Sequence, residues 1–375
     1  MVIVIEKKAR KLIHPIDRSW EVFRFCPHRL AANLYLGCEF GCAYCFARSI
    51  SPDYHEVIIA RVNAADRIDN ELVKLKRRGI KQPVDLGSAT DPYQPIEKKF
   101  EITRSVLKVF LKHRMPVFIV TKSDLVLRDL DLVKELRQRK LSLVHFSFVT
   151  LNEQLSRLLE VRSPPPEKRL RAIEELAEEN IRVVARVQPV IPLVNDSEEV
   201  LGELLEALSC AGVQHVIYGT LKLSETVLFN LVPVLSKLGI LDKFFRFYVI
   251  YGELDPAGYL VPSYHYRLKL AKFCAEKARK LGMTFGTCKE GFFELHTHRC
   301  SGLDLAGTYV PTIEHLLRYL YVNKEISLDD AVRLLKRLGA DNWYIERFKK
   351  AFTEGIIFQG FPMVMWRNKK VMIMK

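Results

Sequence analysis

Three cysteines stand at C-x3-C-x2-C spacing in Cys38-Glu39-Phe40-Gly41-Cys42-Ala43-Tyr44-Cys45. Thiolates are soft ligands, and spacing this tight suits an iron–sulfur cluster or zinc. The count of three is informative. A [4Fe–4S] cluster held by three protein thiolates leaves one iron open to a substrate or cosubstrate, whereas a structural zinc wants a fourth ligand close by. Cys26 and His28 lie just upstream and offer one, although a core or loop cysteine is the blander reading of Cys26. A second set, Cys288, His296, His298 and Cys300, falls within thirteen residues, with Cys274 as an additional candidate. These types suit zinc or an auxiliary iron–sulfur cluster, but C-x7-H-x-H-x-C is no standard finger. A substrate-facing loop and a merely packed loop stay open as readings of it.

The whole chain bounds the setting of these residues. It has 375 residues and is 49% apolar, enough for one large α/β domain and an appendage. No apolar run approaches the roughly 18 residues of a membrane span. The apolar start at 1–5 is followed by Glu6, Lys7 and Lys8 and reads as neither signal peptide nor anchor. Eight scattered cysteines, three of them in a metal motif, point to a reducing cytoplasm, not to a disulfide scaffold. The formal charge of +14 favours a polyanionic partner, nucleic acid first.

The elements that must position the cysteines read as repeated strand, loop and helix. Residues 34–36, just before the cysteine loop, look like a first strand. Helix 66–78 follows, with Ile68, Leu72 and Leu75 on one face. Further strands fall at 83–86, 117–121, 143–149, 182–190 and 215–218. Helices at 103–113, 130–137, 168–179, 198–211 and 225–238 alternate with them. That rhythm implies a parallel sheet with ligands at the C-terminal ends of the strands. Polar residues collect there: the run Thr90-Asp91-Pro92-Tyr93-Gln94-Pro95-Ile96-Glu97, then Thr121-Lys122-Ser123, Ser147, and Gln188-Pro189-Val190-Ile191-Pro192. Each of these also has an ordinary turn or cap reading.

With the aromatic Tyr44 directly before its last cysteine, the cysteine loop resembles the signature of radical S-adenosylmethionine (SAM) proteins. Together with the 90–97 run, Thr121-Lys122-Ser123, Leu159-Glu160-Val161-Arg162 and Pro189-Val190-Ile191-Pro192, it looks like the spore photoproduct lyase-like branch over residues 30–255. The resemblance implies an α/β fold, a partial (β/α)6 TIM-type barrel. It implies a [4Fe–4S] cluster on Cys38, Cys42 and Cys45 whose open iron chelates SAM, and reductive cleavage of SAM to a hydrogen-abstracting 5′-deoxyadenosyl radical. It places Tyr44, Thr90, Asp91, Lys122, Ser147, Glu160, Arg162, Gln188 and Ile191 around SAM. Spore photoproduct lyase returns a hydrogen atom from a cysteine in the first half of its barrel. Here no cysteine lies between Cys45 and Cys210. A tyrosine then becomes the candidate donor, Tyr93, Tyr218 or Tyr251, with Tyr93 and Tyr251 as the catalytic expectation.

The expected organisation is an N-terminal extension (1–32), the barrel (33–255) and a C-terminal extension covering the barrel mouth (256–375). In the last of these, 244–251 just before the boundary reads as a late strand, 264–281 as a helix, and 312–322, 328–338 and 342–353 as amphipathic helices. Residues 361–374 read as an edge strand. Tyr319, Trp343, Tyr344 and Trp366 mix with Arg333, Lys336, Arg337, Arg347, Lys349, Lys350 and Lys370, which suits either nucleic acid or a plain helical cap. The leading function is radical SAM chemistry on a nucleic-acid base, in DNA or tRNA, fed by a reductant such as ferredoxin or flavodoxin, in a monomer with no membrane. Radical modification of a peptide or small metabolite, helped by Cys288 and Cys300 as auxiliary metal ligands, is the alternative. A non-enzymatic nucleic-acid-binding metalloprotein is a third.

Overall fold

Alternating apolar strands and helices close into one curved sheet. In the computed structural model, the described residues are 2–15, 30–80, 82–255, 258–302, 313–355, 364–367 and 370–373. Cys26 and His28 lie outside them. The first elements are β1 (Ile3–Lys7), β2 (Ile13–Pro15), β3 (Leu30–Ala32), β4 (Tyr35–Leu36), β5 (Val57–Arg61) and α1 (Ala64–Arg77). Then come β6 (Val84–Leu86), α2 (Glu97–Phe100), α3 (Ile102–His113), β7 (Val117–Thr121), α4 (Leu130–Gln138) and β8 (Ser142–Phe148). Helices α5 (Glu153–Leu159) and α6 (Pro166–Glu178) precede β9 (Val183–Val190), α7 (Glu198–Cys210), β10 (His215–Thr220) and α8 (Glu225–Lys237). The last part of the barrel region holds α9 (Leu241–Tyr251), β11 (Gly252–Leu254), β12 (Leu260–Pro262), α10 (Tyr264–Lys280) and β13 (Thr284–Thr287).

The main sheet runs β13-β10-β9-β8-β7-β6-β3-β2. All neighbours are parallel except β2, which pairs antiparallel with β3 at the edge. Strands β6 and β8 are buried throughout, as a parallel sheet covered on both faces requires. The serines at 197, 224 and 263 cap α7, α8 and α10 by accepting a backbone N–H three residues on. This is the partial TIM-type α/β barrel that the sequence suggests.

Three elements differ from the sequence expectation. The first barrel strand is Leu30–Ala32, not 34–36. Its register with β6 is set at Leu30↔Val84, and Tyr35 pairs instead with Ala60 in a small separate sheet of β1, β5 and β4. Residues 244–251 are helix, not strand. In so apolar a stretch both periods fit, and the helix buries Phe244 and Tyr248, one turn apart, while Val249 and Ile250 stay exposed. Finally, Thr284–Thr287 is a seventh parallel strand beside β10, so the sheet continues beyond residue 255. The helix α10, the glycine at 282 and a short aromatic and β-branched run were its signal.

The remainder forms a small unit with its own core. Helices Ile313–Asn323, Leu328–Arg337 and Asn342–Thr353 pack Leu316, Leu320, Leu335, Ile345 and Phe348 together. Within 361–374, where a single edge strand is expected, Val364–Arg367 pairs antiparallel with Lys370–Ile373.

Candidate metal centre

β4 ends at Gly37, whose φ is +89°; a Cβ there would lie 2.2 Å from the Val57 carbonyl oxygen. Only glycine turns the chain at this point. The loop beyond it carries Cys38, Gly41 at φ +67°, Cys42 and Cys45, and ends in the short helical turn Phe46–Ile50. Cys38 and Cys42 are buried and Cys45 half-buried, all as free thiols. They share one small core with Phe40, Ala47 and Tyr54.

Main-chain pairing fastens this loop. The Cys38 N–H donates to the Tyr54 carbonyl (2.9 Å) and the Ala43 N–H to the Leu159 carbonyl (2.8 Å). Cys42 bridges to Glu160. The Glu39 N–H donates to Gln94 Oε1 (2.8 Å), and the Glu39 carboxylate accepts the Ile96 N–H (2.6 Å). Thr90 Oγ1 donates to the Gly37 carbonyl (2.6 Å). Arg162 is exposed, and its guanidinium donates to the carbonyls of Glu39 and, at 2.8 Å, His55. Two residues expected around SAM, Thr90 and Arg162, therefore spend their side chains on the loop itself. The Arg162 fork, which would match a carboxylate, is taken by peptide oxygens.

Glu160, also expected around SAM, sits in a buried charge network beneath the loop. Arg169 Nη2 lies 2.5 Å from Glu160 Oε2, with both side chains at most 1% exposed. The Tyr44 hydroxyl donates to Glu160 Oε1, and Lys122 Nζ lies 3.8 Å from the same oxygen and above the Tyr44 ring. Burial pushes the Glu160 carboxyl up, but Arg169 and Lys122 more than offset it and hold it below its ordinary value. Arg169 also donates to the carbonyls of Pro164 (2.8 Å) and Ser147 (3.0 Å) and to Ser163 Oγ (2.6 Å). Nothing in the helical run around Arg169 marks it as buried. Asp91 is likewise committed to the fold: Oδ1 accepts from Thr121 Oγ1 (2.7 Å) and the Tyr93 N–H (2.9 Å), and Oδ2 from the Lys122 N–H (2.7 Å).

The three sulfurs sit among buried groups and main-chain donors. Burial pushes all three thiols up, Cys42 to about 12, and at Cys42 the Lys122 ammonium works against it. Backbone N–H groups of Asp91 and Phe40 bear on the Cys38 sulfur, and those of Ala47 and Arg48 on Cys45. Such N–H donors are a known lever on iron–sulfur centres. Among the described residues, no three His, Cys, Asp or Glu side chains close on a single ion.

In the second set, hydrogen bonds and packing engage several of the candidate residues. His296 Nε2 accepts the Thr287 N–H (2.8 Å), and Cys300 is buried with its carbonyl bonded by His215 (3.1 Å). Its Cα would lie 2.7 Å from a Cβ at Gly286, so this segment packs directly on β13. Cys274 is buried on the core face of α10. Glu290 is buried and accepts from the Thr220 N–H (2.7 Å) and from Arg267 (2.8 Å).

Cys288 lies inside the barrel. Phe118, Leu143, Val184 and Ile217 form the inner layer of four adjacent strands, and Cys288 packs against them. The alternation along each strand puts Ser147, Arg186 and Gln188 on that inner face. Arg186 Nη2 lies 3.9 Å from Cys288 Sγ and donates to Gln188 Oε1 (3.1 Å). Gly219 leaves room for Gln188, since a Cβ there would meet Gln188 Nε2 at 2.9 Å. Ile191 lies in a neighbouring apolar cluster with Ala43, Val149 and Leu159. Asn195 ties these strand ends by donating to the carbonyls of Val149 (2.6 Å) and Pro189 (3.2 Å).

The three candidate tyrosines lie in different surroundings. Tyr93 is fully buried, with its hydroxyl donating to Asp129 (3.0 Å) beneath the Arg128 guanidinium. Tyr251 is 53% exposed at the end of α9. Tyr218 is buried in the main core between the sheet and its outer helices.

Comparison with known proteins agrees with this geometry. The radical SAM superfamily model matches residues 32–205. An uncharacterised protein of Methanocaldococcus jannaschii is 34% identical over 205 residues, 53% of this chain and 72% of that protein. An uncharacterised Mycobacterium bovis protein is 31% identical, over 51% of this chain and 58% of its own length. The radical SAM Nalpha-GlyT isomerase of Pseudomonas phage M6 is 24% identical, over 68% of this chain and 52% of that enzyme. In fold, spore photoproduct lyase complexed with dinucleoside spore photoproduct superposes with a TM-score of 0.60 at 15% identity, over 76% of this chain and 82% of that one. With the three-cysteine loop at the strand ends of a parallel barrel, the chain belongs to the radical SAM superfamily, as an enzyme built on the fold it shares with spore photoproduct lyase.

Proposed function

We propose that this enzyme performs radical SAM chemistry on a nucleic-acid base, in repair or modification. The observation that carries the reading is the cysteine loop, clamped over a barrel whose inner face carries Arg186 and Gln188 beside an apolar layer, in a chain of formal charge +14. Spore photoproduct lyase, which shares the fold, is complexed with a dinucleoside. A base stacked in a duplex would have to be extruded to enter such a barrel.

The residues present fit the implied cofactors. Cys38, Cys42 and Cys45 would hold a [4Fe–4S] cluster, since the loop offers three thiols in one small core and N–H groups bearing on their sulfurs. Ser147, Lys122 and Gln188, at the strand ends beside the loop, would face SAM. When bound, cluster and SAM together supply a 5′-deoxyadenosyl radical for hydrogen abstraction, with an electron from a ferredoxin or flavodoxin. The chain's own residues fix the loop, place Lys122 over Tyr44, and cover the strand ends with the apolar side chains of Ala43, Val149 and Ile191, which exclude water.

Anaerobic reconstitution followed by dithionite and SAM, with 5′-deoxyadenosine as readout, tests the proposal. Formation is expected to rise with added DNA or tRNA and to vanish in Cys42→Ala. A fully loaded enzyme that never responds to nucleic acid would exclude the base as substrate. Radical chemistry on a peptide or metabolite is the second reading: Cys288 and Cys300 both lie on the inner face of β13, Cys288 against Ile217 and Cys300 over Gly286.

A further inference from the structure

The C-terminal unit runs helix (Ile313–Asn323), strand (Glu325–Ser327), helix (Leu328–Arg337), turn, helix (Asn342–Thr353), hairpin. In its antiparallel sheet the first strand pairs with the last, and the last with Val364–Arg367. That order is the topology of a winged helix-turn-helix. The turn is four residues, 338–341, with Gly339 left-handed at φ +82°. Gly339 and Ala340 N–H groups close the first helix by donating to Lys336 and Leu335 carbonyls (both 2.9 Å). Asp341 opens the second by accepting the Tyr344 N–H (2.8 Å). A turn of three or four residues containing glycine is the helix-turn-helix connection.

The faces of the second helix are divided. Tyr344, Ile345, Phe348, Ala351 and Phe352 are buried in the unit's own core. Trp343 packs against both this core and the barrel core, Arg347 lies over its ring, and Gln82 of the barrel donates to Asp341 (3.0 Å). The unit is thereby seated on the barrel by one flank. The remaining face, Asn342, Glu346, Lys350 and Thr353, points to solvent, with Lys349 at its border. At the end of the first helix Lys336 and Arg337 are exposed as well. From 313 to 375 the sequence holds twelve Lys and Arg against seven Asp and Glu.

We propose that this unit is a handle for B-form DNA, with helix Asn342–Thr353 in the major groove. An exposed helix needs a groove wide enough to admit it. B-DNA supplies one about 12 Å wide, whereas the major groove of an RNA duplex is deep and narrow and closed to side chains. The partner is thus duplex DNA, not folded RNA. The inference rests on the nucleic-acid reading of the barrel and deepens it: one end of the molecule grips the duplex while the barrel receives an extruded base.

The test is fluorescence anisotropy of the full-length, cluster-loaded chain with DNA and RNA duplexes of the same sequence, about 20 base pairs or two turns, over a salt series. DNA is expected to bind more tightly. Lys336→Glu/Arg337→Glu and Lys349→Glu/Lys350→Glu should each weaken DNA binding about tenfold or more and lower the salt slope by about 2. Unchanged far-UV circular dichroism and iron content exclude misfolding. Equal affinity for the two duplexes, or affinity that ignores both variants, overturns the handle, as does capture of a protein partner without DNA binding. A short single-stranded oligonucleotide that stimulates 5′-deoxyadenosine formation in a chain that ignores duplexes leaves the barrel reading standing without the handle. Duplex binding with no such stimulation does the reverse.

Discussion

Replacing Arg169 with methionine should loosen the cysteine loop from below. The guanidinium makes four bonds within a region where it is itself 1% exposed: to Glu160, Ser163 and the carbonyls of Pro164 and Ser147. Methionine fills much of the volume but leaves Glu160 buried with Lys122 at 3.8 Å as its remaining cation. Removing one partner of a buried pair costs about 3–5 kcal/mol. Against a total stability of about 5–15 kcal/mol, this is a large share. With a urea dependence near 3 kcal/mol per molar, the midpoint should fall by about 1–2 M. Because Glu160 bridges Cys42 and Leu159 holds Ala43, iron loading should fall as well. The sign with pH follows from Glu160, whose carboxyl is held below its ordinary value by Arg169 and Lys122 against burial. A depressed carboxylate contributes stability above its unfolded value of about 4.3 and loses it as pH falls through the folded value. The deficit of Arg169→Met should therefore be full at neutral pH and narrow below about pH 4. Arg169→Lys, which keeps the charge but not the fork, should recover part of it. A methionine variant with the parent's urea midpoint and iron content would refute the network's role.

The other expectations concern the loop and the remaining candidate residues. Gly37→Ala should lower iron retention sharply, because the new Cβ meets the Val57 carbonyl at 2.2 Å; iron analysis after reconstitution reads it, and full loading would contradict the geometry. Cys288→Ala and Cys300→Ala should each keep about four irons per chain, one cluster's worth; a drop from about eight to four would show a second cluster. Tyr93→Phe should lower stability by about 1 kcal/mol through the lost bond to Asp129, whose carboxylate Arg104 and Arg128 still hold, while leaving SAM cleavage intact; loss of cleavage at full stability would place Tyr93 in the catalytic set.

Much of the fold was legible because strand and helix carry distinct periods. Val117–Thr121 matches its expected bounds, and the helices after it lie within two residues of theirs. The cysteine loop was legible because three soft ligands at fixed spacing have few uses. The errors fall where local pattern is degenerate. The 244–251 stretch is apolar at nearly every position, so its period decides nothing. Strand Thr284–Thr287 is four residues long and contains a glycine, yet it pairs in register with β10 from His215 to Tyr218. Only the tertiary partner reveals it.

The site residues were harder for a different reason. A polar residue at a strand end has two fates, facing the cavity or stitching the rim, and residue type does not separate them. Asp91, Thr90, Glu160 and Arg162 took the second fate: each satisfies main-chain groups or a buried countercharge that would otherwise be stranded. Ser147 and Gln188 took the first, because strand alternation turns them to the same side as Leu143 and Val184. Parity along a strand therefore discriminates better than chemical type, but it needs the register, and the register is fixed by partners far away in sequence. Cys288 shows the same rule from the other side. By parity it groups with Ile217, Gly286 and Arg186, inside the barrel.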